Sequence, residues 1–179
     1  MPIDTIPAAD LFAGVARPAG GPAIVHGRTS RGCFTGGVAL AGEGATWQVM
    51  RPSRNRYYAH ARTVAAVERL AALAPSLGLR GILVGDLSQP AGGPMPWGHL
   101  SHQSGLDADI WFAEMPEPRL TVQERETIEM QSMLTPDGIA LDTTLFTAPF
   151  ARLVAAAASM GEVQRIFVHP QINTSFHSW

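Results

Sequence analysis

Two histidines and two aspartates fall within eleven residues of this chain, although the whole sequence has only six histidines. They lie in the run Gly98-His99-Leu100-Ser101-His102-Gln103-Ser104-Gly105-Leu106-Asp107-Ala108-Asp109. Neutral imidazole nitrogen and carboxylate oxygen are the usual ligands of a catalytic zinc, which takes three protein ligands and keeps one position for water or substrate. His99, His102 and one aspartate meet that inventory. A loop can curl between the histidines, Gly105 lets the chain reverse, and a strand beginning at Asp107 fixes a carboxylate. Asp107 and Asp109 share one strand face about 7 Å apart, so a single ion takes one of them. The other is left to hold a histidine in its tautomer. The plainer reading is a hydrogen-bonded polar turn with two incidental histidines, since His-x-x-His outside a helix is less specific than the helical His-Glu-x-x-His of metalloproteases.

Other chemistries are excluded or left open. All 13 basic residues are arginine, which removes lysine-based phosphate loops, Schiff bases and lysine general bases. A net charge of −2 gives no electrostatic footprint for nucleic acid or an anionic membrane. No apolar run reaches the roughly 18 residues that span a bilayer, so no membrane span is expected. The start, Met1-Pro2-Ile3-Asp4, has neither a basic segment nor a continuous apolar one, and no secretory signal is legible. Cys33 cannot close a bond within the chain. It is a small buried hydrophobe, half of a disulfide whose partner lies outside this sequence, or a catalytic thiol. Asp86 ends an apolar run and is either a turn cap or a functional carboxylate. Arg51, Arg54 and Arg56 form a cluster whose default reading is solvated charge. The alternative, for Arg56 with Tyr57, is contact with substrate carboxylates through forked hydrogen bonds.

The elements that must carry these residues are read from periodicity. With 18 Gly and 14 Pro the chain holds more turn-formers than a helical bundle would. Short strands are expected near 23–26 and 33–40 and at 47–50. Val64, Val67, Leu70, Ala71 and Ala74 repeat at three and four, which predicts a helix over 60–74 ended by Pro75 and Gly78. Residues 81–86 read as a buried strand, 87–98 as a pinned Gly/Pro loop, and 107–112 as a strand with Ala108, Ile110 and Phe112 on its core face. Thr121-x-x-Glu124 opens a helix expected over 121–134 as a capping box. A further helix is expected over 149–160 and a buried strand over 163–168. The fold class is α+β in one domain.

The run Gly98-His99-x-Ser101-His102-Gln103-x-Gly105-Leu106-Asp107-x-Asp109-Ile110, preceded by Gly85-Asp86-x-x-x-Pro90-Ala91-Gly92-Gly93, resembles the penicillin-insensitive murein endopeptidases. Gly32-Cys33, Gln48-Val49-Met50-Arg51, Arg56-Tyr57, His60 and Arg165-Ile166-Phe167-Val168-x-Pro170 extend the likeness over about residues 31–172. It implies a small antiparallel sheet flanked by helices, a fold shared with lysostaphin-type and D-Ala-D-Ala metallopeptidases. It also implies a periplasmic zinc enzyme that hydrolyses peptide cross-links between D-alanine and meso-diaminopimelic acid in peptidoglycan. His102 and Asp109 stand where the family has zinc ligands and His99 where it has a histidine of the same site, so His99, His102 and Asp109 are the metal residues. Asp107 stands beside them in a supporting role. In such an enzyme zinc activates water for attack on the scissile amide carbonyl.

The resemblance places a remaining ligand and the general base in a His-x-His element after residues 163–168, and this sequence has no His-x-His. Neither His169 nor His177 lies in that pattern. The chain is therefore expected to be a single peptidase domain, 1–179, lacking that segment, and to release cross-linked muropeptides weakly or not at all. An inactive member that binds murein peptide or metal is the alternative. Asp137 is followed by Ala140 where some relatives carry Asp-x-x-His, so no second metal is expected. Relatives pair the cysteine at Cys33 with one near their C-terminus.

Overall fold

The computed structural model describes residues 5–176. Among them five α-helices and three small sheets form an α+β structure. Helix α1 (Ala8–Ala13) precedes a hairpin of β1 (Ile24–Arg28) and β2 (Arg31–Thr35), and β3 (Val38–Ala39) pairs with β6 (Tyr58–Ala59). The central sheet has β4 (Glu43–Gly44), β5 (Trp47–Val49), β7 (Ile82–Val84) and β8 (Ile110–Glu114), in that spatial order.

Four of the five strand pairings are antiparallel, and the fifth, β5 with β7, is parallel with Val49 opposite Val84. A parallel pair needs a long crossover, and here α2 (Ala61–Leu73) supplies it. The expected helix over 60–74 forms because its apolar stripe has somewhere to go. Val64, Val67, Leu70 and Ala71 are buried in the main core with Ile82 and Val84 of β7. Its start is set by His60, whose Nδ1 accepts the backbone N–H of Arg62 at 3.2 Å.

Strand β7 is covered on both sides, which is why residues 82–84 are uniformly apolar. Ile82 and Val84 face α2 and α4 (Ala148–Ala158), while Leu83 joins Met50, Trp111 and Met115 in a second cluster. Ala108, Ile110 and Phe112 lie against the main core as expected. The opposite face of β8 is not a solvent face, because Trp111 is buried there under the second cluster.

Four expectations about elements are corrected. The strand expected over 107–112 is β8, Ile110–Glu114, so Asp107 and Asp109 precede it and are held by the loop and by backbone pairing beyond the strand. Helix α3 (Val122–Thr127) opens with the expected capping box, Thr121 Oγ1 accepting from Glu124 N–H and Glu124 Oε2 accepting from Thr121 N–H. It stops at Ile128 instead of reaching 134, since its one buried residue is Arg125 and a helix without an apolar stripe gains little from extension. Residues 163–168 form no strand. A strand needs a hydrogen-bonding neighbour, and this segment pairs with none; Phe167 is 85% exposed. The stretch 33–40 is two strands, β2 and β3, broken at Gly36 and Gly37. Helix α5 (Pro170–Ser175) follows, capped by His169 Nδ1, which accepts from Gln171 N–H.

Candidate metal centre

The histidine-bearing loop between β7 and β8 is fastened at both ends by backbone pairing that continues the sheet. Gly85 N–H donates to Asp109 O at 2.8 Å and Asp109 N–H donates to Asp86 O at 3.0 Å, so Asp86 and Asp109 face each other just beyond the strand ends. Between them Gln89 Nε2 donates to the carbonyls of Gly92 and Pro94, both at 2.9 Å. Gln103 binds the β1–β2 hairpin: its N–H donates to Thr29 O and its Oε1 accepts from Gly32 N–H. Two glycines are required by geometry. Gly92 has φ +66°, and a Cβ there would sit 2.0 Å from Gln103 O; Gly105 has φ +68°, with the Phe34 ring packed beside it. Gly105 O accepts from His60 N–H, which ties the loop to the start of α2.

His102 is held in the left-handed region at φ +63°, a conformation uncommon for a non-glycine residue. Its backbone is fixed from both sides: Asp107 Oδ2 accepts its N–H at 3.2 Å, and the Ser88 hydroxyl donates to its carbonyl. Asp107 thus steadies the main chain of His102 through its N–H, a different means of support from the tautomer role read from the sequence.

The side chains of His99, His102 and Asp109 converge, each offering one ligand atom, all within 4.8 Å of one another. His102 Nε2 lies 3.2 Å from Asp109 Oδ1 and His99 Nε2 lies 3.7 Å from Asp109 Oδ2. Tetrahedral zinc with bonds of about 2.0–2.1 Å separates its ligand atoms by about 3.4 Å. The donor set and spacing fit such an ion with small side-chain shifts. The rings of His99 and His102 meet edge to face, with centroids 4.6 Å apart. His102 is buried and its Nδ1 has no hydrogen-bond partner, so the ring is held through Nε2 alone. Burial opposes the imidazolium, yet the hydrogen bond it donates to Asp109 and the charges of Asp109, Asp107 and Asp86 more than offset it. Its pKa is raised above the ordinary histidine value.

Asp86 is the residue that sequence reasoning undervalued. It is buried, and its Oδ2 lies 3.1 Å from His99 Nε2 while accepting from Arg54 Nη1 at 3.1 Å and Arg56 Nη1 at 3.0 Å. The three partners stand 13, 32 and 30 residues away in sequence, so no local spacing announces the cluster. The available signals were a carboxylate at the end of an apolar run and the place of Gly85-Asp86 in the family-like run. Arg56 is itself buried, with Nη2 donating to Trp97 O at 3.0 Å. Trp97 receives both guanidinium groups on its ring, Arg56 at 4.0 Å and Arg54 at 4.9 Å from the centroid. Tyr57 is stacked on Tyr58. Arg51 is drawn elsewhere, donating to Glu126 O and lying over Trp111.

The remaining candidates are accounted for locally. Cys33 is a free thiol, half-buried in β2 opposite His26. Asp137 is turned into its own loop, its Oδ1 accepting from Thr135 Oγ1 and Ile139 N–H. His169 caps α5, and His177 lies outside the described residues. Among the described residues no helix is long and apolar enough to cross a membrane.

Residues 25–177 match the family described as penicillin-insensitive murein endopeptidase. A protein of that name from Klebsiella pneumoniae (strain 342) is 36% identical over 158 residues, covering 88% of this chain and 57% of the relative. One from Yersinia enterocolitica is 35% identical over 170 residues, covering 95% and 62%. One from Escherichia coli (strain K12 / DH10B) is 35% identical over 158 residues. The chain spans 57–62% of the length of these curated relatives.

Proposed function

Since this chain belongs to the penicillin-insensitive murein endopeptidase family, we propose that it carries the metal centre of a zinc-dependent enzyme that hydrolyses D-alanyl-meso-diaminopimelyl cross-links in peptidoglycan. The observation that carries the reading is the convergence of His99, His102 and Asp109 within 4.8 Å on a loop fastened at both ends. These three residues hold the ion. When bound, zinc supplies Lewis acidity toward a carbonyl and activation of water at neutral pH. The protein's part is positional. Asp109 is placed by the sheet ladder, His102 by Asp107 and Ser88, and His99 by Asp86. A substrate of this kind places the work in the periplasm, with cross-link peptides as the partner.

A second reading is favoured by one contact. His99 Nε2 lies closer to Asp86 (3.1 Å) than to Asp109 (3.7 Å), and if it stays there two residues remain for the metal. The chain would then bind murein peptide or metal without turnover. Incubating the zinc-loaded protein with purified cross-linked muropeptide dimers, and following monomers by mass spectrometry, separates the two. The enzymatic reading predicts release that EDTA and His102→Ala abolish. Binding of dimers with no zinc-dependent monomer release establishes the second reading.

A further inference from the structure

The Asp86 oxygen that touches His99 also pairs with the two arginines of a second feature, a cleft of about 230 Å³ walled by Ser53, Arg54, Asn55, Arg56, Gln89 and Trp97 among others. Its ionisable lining residues are the two arginines, and Asp86 supplies one carboxylate against two guanidinium groups. The neighbouring Glu126 carries its own cation, Arg51, and so does not make up the difference. Its carboxylate is held by Ser53 N–H and Oγ at 2.6 and 2.8 Å, and Arg51 donates to its backbone carbonyl. One positive charge is left over.

The two arginines are in different situations. Arg56 is buried and spends Nη1 on Asp86 and Nη2 on Trp97 O, so it is fixed backing. The Arg54 side chain is 32% exposed, and of its donors only Nη1 is engaged, by Asp86. Its Nε and Nη2 have no hydrogen-bond partner among the described residues, while Trp97 holds the plane of the group in place. A guanidinium oriented on an aromatic ring with donors to spare matches the two oxygens of a carboxylate. Gln89 cannot compete, because its amide is committed to loop carbonyls.

We propose that this cleft is the subsite for a free carboxylate of the cross-link peptide, with Arg54 as the anion contact and Trp97 as its apolar wall. The proposal rests on the murein reading for the identity of the ligand. The Asp86 bridge sets the cleft one side chain away from His99, so a peptide anchored on Arg54 runs toward the metal residues.

The test is a binding measurement on the metal-free chain in EDTA, by calorimetry and tryptophan fluorescence. The probes are a murein tetrapeptide ending in meso-diaminopimelyl-D-alanine, the same peptide with its carboxylates amidated, and N-acetyl-D-alanine. The expected result is about 10-fold tighter binding of the free-carboxylate peptide than of the amide, with both binding Arg54→Gln at the level of the amide. Arg54→Lys, which keeps the charge and loses the fork, recovers only part of the preference. Equal binding of both peptides by the unaltered protein overturns the proposal and needs no variant; so does a preference that survives in a folded Arg54→Gln. If N-acetyl-D-alanine binds in an Arg54-dependent way and the murein peptide binds no better, the subsite stands and the murein reading fails. If dimers are cleaved while the two peptides bind alike, the murein reading stands and the subsite fails.

Discussion

His102 sits where two costs meet: a left-handed backbone and a buried ring with one unpartnered nitrogen. A residue keeps such a conformation only when its surroundings over-determine it, and here Asp107 and Ser88 do so through its N–H and carbonyl. Asp107→Ala is therefore expected to weaken zinc binding by about 10- to 100-fold while leaving the far-UV spectrum intact; competition with a chromophoric chelator measures it, and undiminished affinity removes Asp107 from the support. Asp86 belongs to the same scale with a different consequence. It is the counter-charge of a buried arginine, and deleting one partner of a buried pair leaves the other uncompensated. Asp86→Ala should cost about 3–5 kcal/mol in urea unfolding, and a loss under about 1 kcal/mol would mean that water reaches Arg56 freely.

At the scale of elements, what was legible in the sequence was what is local. Helix α2 could be read because its buried residues repeat within its own span, and the capping box of α3 because donor and acceptor lie three residues apart. The His99–Asp109 cluster was legible for the same reason: its members share one loop and one strand start. The failures are non-local. The end of α3 depends on a missing packing partner, the absence of a strand at 163–168 on a missing edge, and the burial of Trp111 on Met50 arriving from just beyond β5. The capping box also makes a pH prediction. Backbone and side-chain hydrogen bonds from Thr121 hold the Glu124 carboxyl below its usual value. Its stabilising effect is thus complete above the ordinary Glu pKa of about 4.3 and is lost as pH falls through the lower folded value. Following unfolding between pH 6 and pH 3 in the protein and in Glu124→Gln should show the difference between them shrinking toward the acid end; a difference that grows there contradicts the assignment.

For the molecule as a whole, the sheet, the β7–β8 loop and the arginine cluster act as one positioning device. β7 ends beside β8, and the paired strand ends set Asp86 and Asp109 across from each other. The loop between them returns two histidines to that spot. Asp86 then connects His99 to Arg54 and Arg56, and through them to Trp97. The same carboxylate contacts His99 of the candidate metal centre and the two arginines of the cleft beside it, so a single buried acid gathers three basic partners from distant parts of the chain. The central claim is that His99, His102 and Asp109 form a zinc site. Titration of the metal-free chain with zinc, followed by calorimetry and metal content after gel filtration, tests it most directly, with His102→Ala and Asp109→Ala alongside. The account predicts one zinc per chain and its loss in both folded variants; no zinc taken up, or uptake unchanged by either substitution, would contradict it.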